Sequence, residues 1–364
     1  MATYSVEKLP GRTLILEDGK KYLWFSGTDY LGLAHDERFR NVFLEGISQF
    51  GTHFGSSRSN NLQLDIYKES EEALAHFVNA PEAITVSSGM WAGQLLMQEM
   101  ETIVSQFSTT KQSITYYYAP GTHPAIRGQQ YISSHGSWTD WANTSIEHIN
   151  ASNSSVTNII CTDSVGSPWV QNFDFSIFSK LTHPNTWLIV DDSHGIGVRG
   201  NEGGGIYQSL CHIKNVIVCT SLNKGMGIPG GAIFAARPII NYLKTTPGFA
   251  GASPYAPAYA YTLKTLLRDS YYQNCNTLLL SNIQYLQSKL LNNSPFVSLD
   301  NYPVYCSKNP ALFDYLIAND IMASHFPYPS PIDSPITRLA ISTLHTKKDL
   351  DRLAEVSIQF QQES

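Results

Sequence analysis

The feature that most restricts the fold is a series of short, unbroken apolar runs set apart by helical stretches. AITVSS (83–88), TYYYAP (115–120), NIICTD (158–163), WLIVDD (187–192), NVIVCTS (215–221) and GGAIFAA (230–236) follow one another along the chain. A strand that is apolar at successive positions has to be covered on both faces, which is the mark of a largely parallel sheet between layers of helices. Helical periodicity fills the gaps. Phe39, Val42, Phe43 and Ile47 recur at helical spacing, as do the apolar residues of YKESEEALAHFV (67–78) and WAGQLLMQEM (91–100). Near the start, RTLILEDGKKYLWFSG reads as two strands joined at Asp18-Gly19. A stretch rich in Gly, Pro and small residues (241–257) precedes an expected long helix at about 258–291. The expected organisation is a large domain over 36–240 and a small domain that combines 241–364 with the strands of 1–35.

Bulk properties exclude several functions. Charged residues make up only 15% of the chain and the formal net charge is −6, against the basic excess of a general nucleic-acid binder. No apolar run reaches the roughly 18 residues of a membrane helix, and MATYSVEKLPGR lacks the apolar core of a signal peptide. Cys161, Cys211, Cys219, Cys275 and Cys306 are scattered without CxxC spacing, so a disulfide framework and a zinc site are not expected. A cytoplasmic setting is.

In doubly wound sheets ligands sit beyond the carboxyl ends of the strands. Lys224, in TSLNKGMGIPGG, follows one such end among glycines that permit tight turns; a partly desolvated lysine there can form a Schiff base. Taken alone, it reads more readily as a surface loop lysine. Asp191 ends WLIV and needs a cationic or hydrogen-bonding partner, for which a protonated pyridine nitrogen would serve. His194, three residues on, would reach the ring's phenolic oxygen. Metal ligation by DDSH, or a plain turn cap at Asp191, competes with that reading; no further cluster of metal-ligand spacing supports the metal. SSGMWAG (87–93) joins a strand to a helix whose N-terminal N–H groups suit a phosphate, although such helix starts also occur without ligands. His123, in APGTHPAIRG, is placed to stack on a pyridine ring or to be an ordinary loop histidine.

The order of these pieces resembles the α-oxoamine synthase family of fold-type-I enzymes that depend on pyridoxal 5′-phosphate (PLP). The resemblance runs from DYLGLA (29–34) to TLHTKKDLDRL (343–353), and VDDSHGIGVRGNEGGG (190–205), TSLNKGMG (220–227), SSGMWAG and FGTHFGSSRS (50–59) carry it. It implies an α/β fold with a mostly parallel seven-stranded sheet between helices and a smaller α/β domain. It makes Lys224 the lysine that holds the cofactor and moves the proton, with Asp191 on the pyridine nitrogen, His194 on the ring hydroxyl and His123 stacked on the ring. Ser167 falls near the ring, and Ser88, Gly89, Met90 and Ser221 fall around the phosphate. Arg338, seven residues before His345, matches the arginine that binds a substrate carboxylate. Ser253 resembles the position from which a partner subunit reaches the phosphate, implying a homodimer.

The departures surround the substrate. Thr28 stands where the family has an active-site asparagine, PWVQ (168–171) replaces an acidic stretch, SNNLQLDIY replaces a Gly-Thr-rich segment, and Gly93 replaces the asparagine of the phosphate motif. No arginine near the N-terminus matches the one that pimeloyl-specific members use. The expected activity is condensation of an amino acid with an acyl-CoA, with decarboxylation, to an aminoketone. The alternatives are an aminotransferase or other PLP lyase on the same scaffold and a non-catalytic homologue; CTDSVGS is not the GxSxG elbow of a serine hydrolase.

Overall fold

The computed structural model describes residues 3–107, 113–290, 294–328, 330 and 332–363. The apolar runs form a six-stranded sheet in the order β3-β8-β7-β6-β5-β4. The strands are β3 (Glu82–Val86), β4 (Ile114–Tyr118), β5 (Thr157–Asp163), β6 (Thr186–Asp191), β7 (Val216–Ser221) and β8 (Gly231–Ala235). β4 to β7 pair in parallel, and β8 runs antiparallel to both β7 and β3. Five strands therefore point one way, and their carboxyl ends share one rim. The family resemblance implied seven strands. Among the described residues no strand forms between β4 and the next helix; the chain there has only a 3-10 turn (Pro124–Ile126).

Continuous burial of β5 to β8 follows from helices on both faces. Ile160, Leu188, Val190, Val218 and Phe234 face one layer, built from α1 (Glu37–Phe50), α2 (Asp65–Val78), α4 (Trp138–Ala151), α5 (Tyr207–Leu210) and α8 (Pro257–Arg268). The alternate residues Ile159, Trp187, Ile189, Ile217 and Ile233 pack with α3 (Gly89–Phe107) and α6 (Arg237–Lys244). Each of these side chains is within 1% of full burial, which contributes roughly 1.5–3 kcal/mol apiece. Asp36 starts α1 by accepting the Phe39 N–H at 2.6 Å, and α1 crosses α8 at Gly46, where a Cβ would lie 2.8 Å from the Ala258 carbonyl oxygen.

A second six-stranded sheet has the order β1-β2-β11-β12-β10-β9. β1 (Thr13–Ile15) and β2 (Lys21–Phe25) are the expected hairpin, with Gly19 at φ 81° in the turn. β2 then pairs in parallel with β11 (Ile321–Pro327). The remaining strands are β9 (Val297–Ser298), β10 (Val304–Ser307) and β12 (Pro335–Ala340). This sheet is backed by α9 (Tyr271–Leu290), α10 (Leu312–Ala318) and α11 (Lys347–Glu363).

Two local expectations are corrected. The long helix is two helices, α8 and α9, parted where Asp269 leaves the helical path and Ser270 takes φ 55°; Leu291, the end of the expected span, lies outside the described residues. Much of the irregular stretch after β8 is also helical, since α6 reaches Lys244 and Pro247–Gly251 forms α7.

One buried ionic cluster ties α2 to the sheet. Glu71, 3% exposed, accepts from Arg58 Nη1 at 2.7 Å and from the Thr85 N–H at 2.7 Å, with Lys244 Nζ 3.4 Å away. Burial alone would push this carboxyl up, but Arg58, Lys244 and the Thr85 N–H outweigh it and hold it below the ordinary range. Because the folded value lies below the unfolded one, the stabilisation is full above the unfolded carboxylate range and lost as pH falls through the folded value. Glu71→Ala leaves Arg58 buried without its partner and is expected to destabilise the protein by about 3–5 kcal/mol at pH 7, read by urea denaturation. The deficit relative to wild type should shrink as the pH falls toward acid.

Candidate active site

The carboxyl ends of the parallel strands bring Lys224, Asp191, His194, His123 and Ser167 to one place. Asp191 ends β6 and is buried at 4% exposure; its Oδ1 accepts the Ser193 N–H at 2.9 Å. Ser193 in turn receives the Ser221 N–H on its Oγ at 2.8 Å, which ties the end of β7 to the turn after β6. Beyond Ser221, Lys224 sits in a hairpin leading to β8 that is closed by Leu222 N–H to Gly230 O and Ile228 N–H to Leu222 O. The hairpin aims the Lys224 side chain inward, Nζ lying 2.9 Å from His194 Nε2. The same imidazole nitrogen is 3.0 Å from Ser167 Oγ.

The helix start expected to hold phosphate abuts this cluster. α3 begins at Gly89, where a Cβ would lie 2.4 Å from the Ser221 Cβ, so the helix N-terminus presses on the end of β7. Ser88 Oγ accepts the Trp91 N–H at 3.1 Å, while Gly89 and Met90 begin the helix, where backbone N–H groups lack intrahelical partners. Gly93, a departure from the family pattern, has a steric cause: a Cβ there would sit 2.4 Å from the Ala125 carbonyl oxygen. α3 thus packs against the turn that follows His123.

His123 lies on the loop after β4 with 46% of its side chain exposed. Its Nδ1 is 3.2 Å from the Ala125 N–H and 3.5 Å from Asp191 Oδ2. The nitrogen can accept from the first or donate to the second, but not both at once. Asp191 favours the protonated ring and raises the His123 pKa. In return His123, the Ser193 contact and Lys224 outweigh burial and keep Asp191 ionised.

Arg338 reaches the cluster from β12 of the other sheet and is 5% exposed. Its Nη2 donates to Tyr30 Oη at 3.0 Å and its Nη1 to Gly27 O at 3.3 Å, whereas its buried Nε has no partner among the described residues. Thr28 is half-buried next to Gly27. His345, seven residues on, stacks on Phe25 and binds the Trp24 carbonyl at 2.9 Å, away from the Lys224 cluster. Ser253 is exposed on the loop between α7 and α8; two residues on, Tyr255 packs on Gly230 of the lysine hairpin.

Two residues of the cluster escaped the sequence reading. Asp163 ends β5 directly opposite Asp191, and its Oδ2 accepts the His123 N–H at 3.0 Å. The strand-end rule that singled out Asp191 applies to NIICTD as well and would have found it. Tyr30, 1% exposed, bridges Arg338 and His194 Nδ1, the latter at 3.0 Å. Only tertiary structure joins residues so far apart in the chain.

The charges divide by environment. Burial pulls the Lys224 amine below the ordinary lysine range, Arg338 adds to this, and Asp191 and Asp163 oppose it. Burial, with Lys224, Arg338 and His123 nearby, keeps His194 neutral. Desolvation and the neighbouring Asp191 push Asp163 up to about 7. A lysine with a lowered pKa, beside one ionised carboxyl and one that titrates near neutrality, is equipped to attack a carbonyl carbon and to move protons.

A family model, aminotransferase class I and II, matches residues 20–356. The chain belongs to this family. The resemblance to α-oxoamine synthases is borne out as well. 8-Amino-7-oxononanoate synthase from Thermosipho melanesiensis is 26% identical over 95% of this chain and 90% of its own length. The enzyme of the same name from Buchnera aphidicola is 28% identical over 94% and 90%. In structure, serine palmitoyltransferase from Sphingomonas wittichii superposes with a TM-score of 0.80 at 16% identity, covering 99% of this chain and 92% of that one. 8-Amino-7-oxononanoate synthase from Francisella tularensis reaches a TM-score of 0.65 at 22% identity, covering 94% and 98%. These two likenesses establish the α/β fold of fold-type-I enzymes.

PLP is the cofactor of this class I and II family. The donor set fits it: a desolvated amine at Lys224, a buried carboxylate at Asp191 that needs a cation, and a helix start at Gly89 cleared of any side chain. Among the described residues no helix is long and apolar enough to cross a membrane.

The raised Asp163 pKa makes a stability prediction. Between the unfolded value and about 7 the folded protein binds more protons than the unfolded chain, so this group destabilises increasingly as pH rises through that window. Asp163→Asn removes the penalty. Thermal melts of cofactor-free protein should show the variant gaining on wild type from pH 5 to pH 8 (roughly one to two pH units either side of neutral). No change in the difference would exclude a raised pKa at Asp163.

Proposed function

We propose that the protein condenses an amino acid with an acyl-CoA thioester to give an aminoketone with loss of carbon dioxide.

 The observation that carries this reading is the convergence of Lys224 and Arg338 on His194, the lysine directly and the arginine through Tyr30. An amine for the reacting carbon and a fork for a carboxylate then flank one imidazole, which suits a substrate carrying both groups on adjacent atoms. The likeness to two 8-amino-7-oxononanoate synthases, each spanned over most of its length, supports the same chemistry.

Bound PLP supplies an electron sink for a carbanion at the substrate's α-carbon. The chain's own residues do the rest. Asp191, kept ionised, would face the cationic ring nitrogen, and the exposed face of His123 would cover the ring. Gly89, Met90, Ser88 and Ser221 would hold the phosphate at the start of α3, and Ser167 and His194 would fix the ring oxygen. Arg338 binds the carboxylate, its Nε, without a partner among the described residues, offering a further donor, and Thr28 follows the Gly27 whose carbonyl Arg338 holds. Lys224 holds the cofactor and carries the α-proton, a task its lowered pKa suits.

The same proposal assigns 36–240 to cofactor binding and 241–364, with 1–35, to closing the substrate side; the pairing of β2 with β11 supports that grouping. It includes a homodimer in which Ser253 reaches the partner's phosphate site, and a cytoplasmic setting that suits five unpaired thiols. Transamination is the second reading, favoured by the family model itself.

The test mixes the PLP-loaded protein with a panel of amino acids and acyl-CoAs and follows free thiol. Thiol release dependent on one amino acid is the expected result; keto-acid formation without thiol would establish the second reading instead. Arg338→Ala should raise KM for the amino acid at least tenfold, because a charge-assisted bond of about 1.5–3 kcal/mol is lost. Lys224→Ala should abolish turnover and the cofactor's covalent retention on gel filtration.

A further inference from the structure

The Tyr30 hydroxyl stands between two groups that the proposed reaction needs. Arg338 Nη2 lies 3.0 Å from Tyr30 Oη, and Tyr30 Oη lies 3.0 Å from His194 Nδ1. A guanidinium only donates, so the phenol oxygen accepts from Arg338 and has a single O–H left to give. We propose that Tyr30 is a positioning residue that gives this proton to His194 Nδ1, locking the imidazole with its own proton on Nε2. The ring then presents a single N–H, not a lone pair, to the shared space of Lys224 Nζ at 2.9 Å and Ser167 Oγ at 3.0 Å.

The consequence falls on the lysine. An Nε2–H can donate to a neutral amine but opposes an ammonium, whose hydrogens would point at it. The lock therefore favours the uncharged amine, the form that attacks a carbonyl carbon. The charged and titratable neighbours divide over the lysine and agree over the imidazole. His194 is faced by Lys224, Arg338, His123 and Tyr30, which together with burial keep the ring neutral. Lys224 is faced by Asp191 and Asp163, which favour the ammonium, and by Arg338, which opposes it. Tyr302, which donates to the His194 carbonyl oxygen at 3.3 Å, is the other phenol near Tyr30. The catalytic meaning of the lock rests on the function proposed above; the proton's location does not.

The experiment uses the full chain with 15N-labelled histidine rings, with and without added PLP, and assigns the His194 signals by their loss in His194→Gln. Nitrogen shifts should show an unprotonated Nδ1 and a protonated Nε2 in wild type. In Tyr30→Phe that pattern should be lost, and the pH midpoint for acetylation of Lys224 in cofactor-free protein, read by peptide mass spectrometry, should rise by about one unit, the equivalent of one hydrogen bond. A protonated Nδ1 in wild type, as follows if Tyr30 gives its proton to Tyr302, overturns the proposal. So does an unchanged Lys224 midpoint in a folded Tyr30→Phe. If that variant does not fold, the wild-type ring pattern alone decides. Absence of thiol release with the ring pattern intact would defeat the proposed activity and leave the lock standing.

Discussion

Parallel pairing of β5 and β6 places Asp163 and Asp191 side by side at the same level of the sheet. Neighbouring strands are about 4.8 Å apart, so the two carboxyls repel, and the low-dielectric rim magnifies the effect. Both cannot be comfortably ionised without cations, and the surrounding structure supplies them. Lys224 arrives from the end of β7, and His123 arrives from the loop after β4. The outcome is a division of labour set by surroundings: Asp191, with His123 and the Ser193 N–H, keeps its charge, while Asp163 retains its proton toward neutrality.

The second sheet completes what the first cannot. Arg338 comes from β12 and Tyr30 from the segment after β2, and both are nearly inaccessible to solvent. Holding a guanidinium there is unfavourable unless its donors are met. Tyr30 and the Gly27 carbonyl meet part of the need, and among the described residues nothing meets the Nε. One departure from the family pattern lies between the two sheets. In the PWVQ stretch, the Pro168 carbonyl receives Cys306 Sγ–H, and Lys308 lies over the Trp169 ring.

Most of the large sheet was legible because continuous apolar runs have one reading when helices alternate with them. The strand-end rule then found Asp191 and Lys224, and the order of motifs supplied the cofactor. What stayed hidden depended on distance or on backbone detail. Ser270 turns the chain with a left-handed conformation that no Gly or Pro announces, so two helices read as one. Gly93 looked like a lost amide, yet the space beside it is filled by the Ala125 carbonyl. Tyr30 lay within a quoted motif, but its partners, Arg338 and His194, are remote in sequence.

The reversed direction of β8 has a mechanical consequence. Because the chain turns straight back after β7, the lysine rides on a short loop clamped at both edges by backbone bonds, with Tyr255 wedged against its far side. Such a mount resists translation. The amine can change partners only by swivelling about its own methylene stem, which confines its excursions to an arc centred on a fixed Cα.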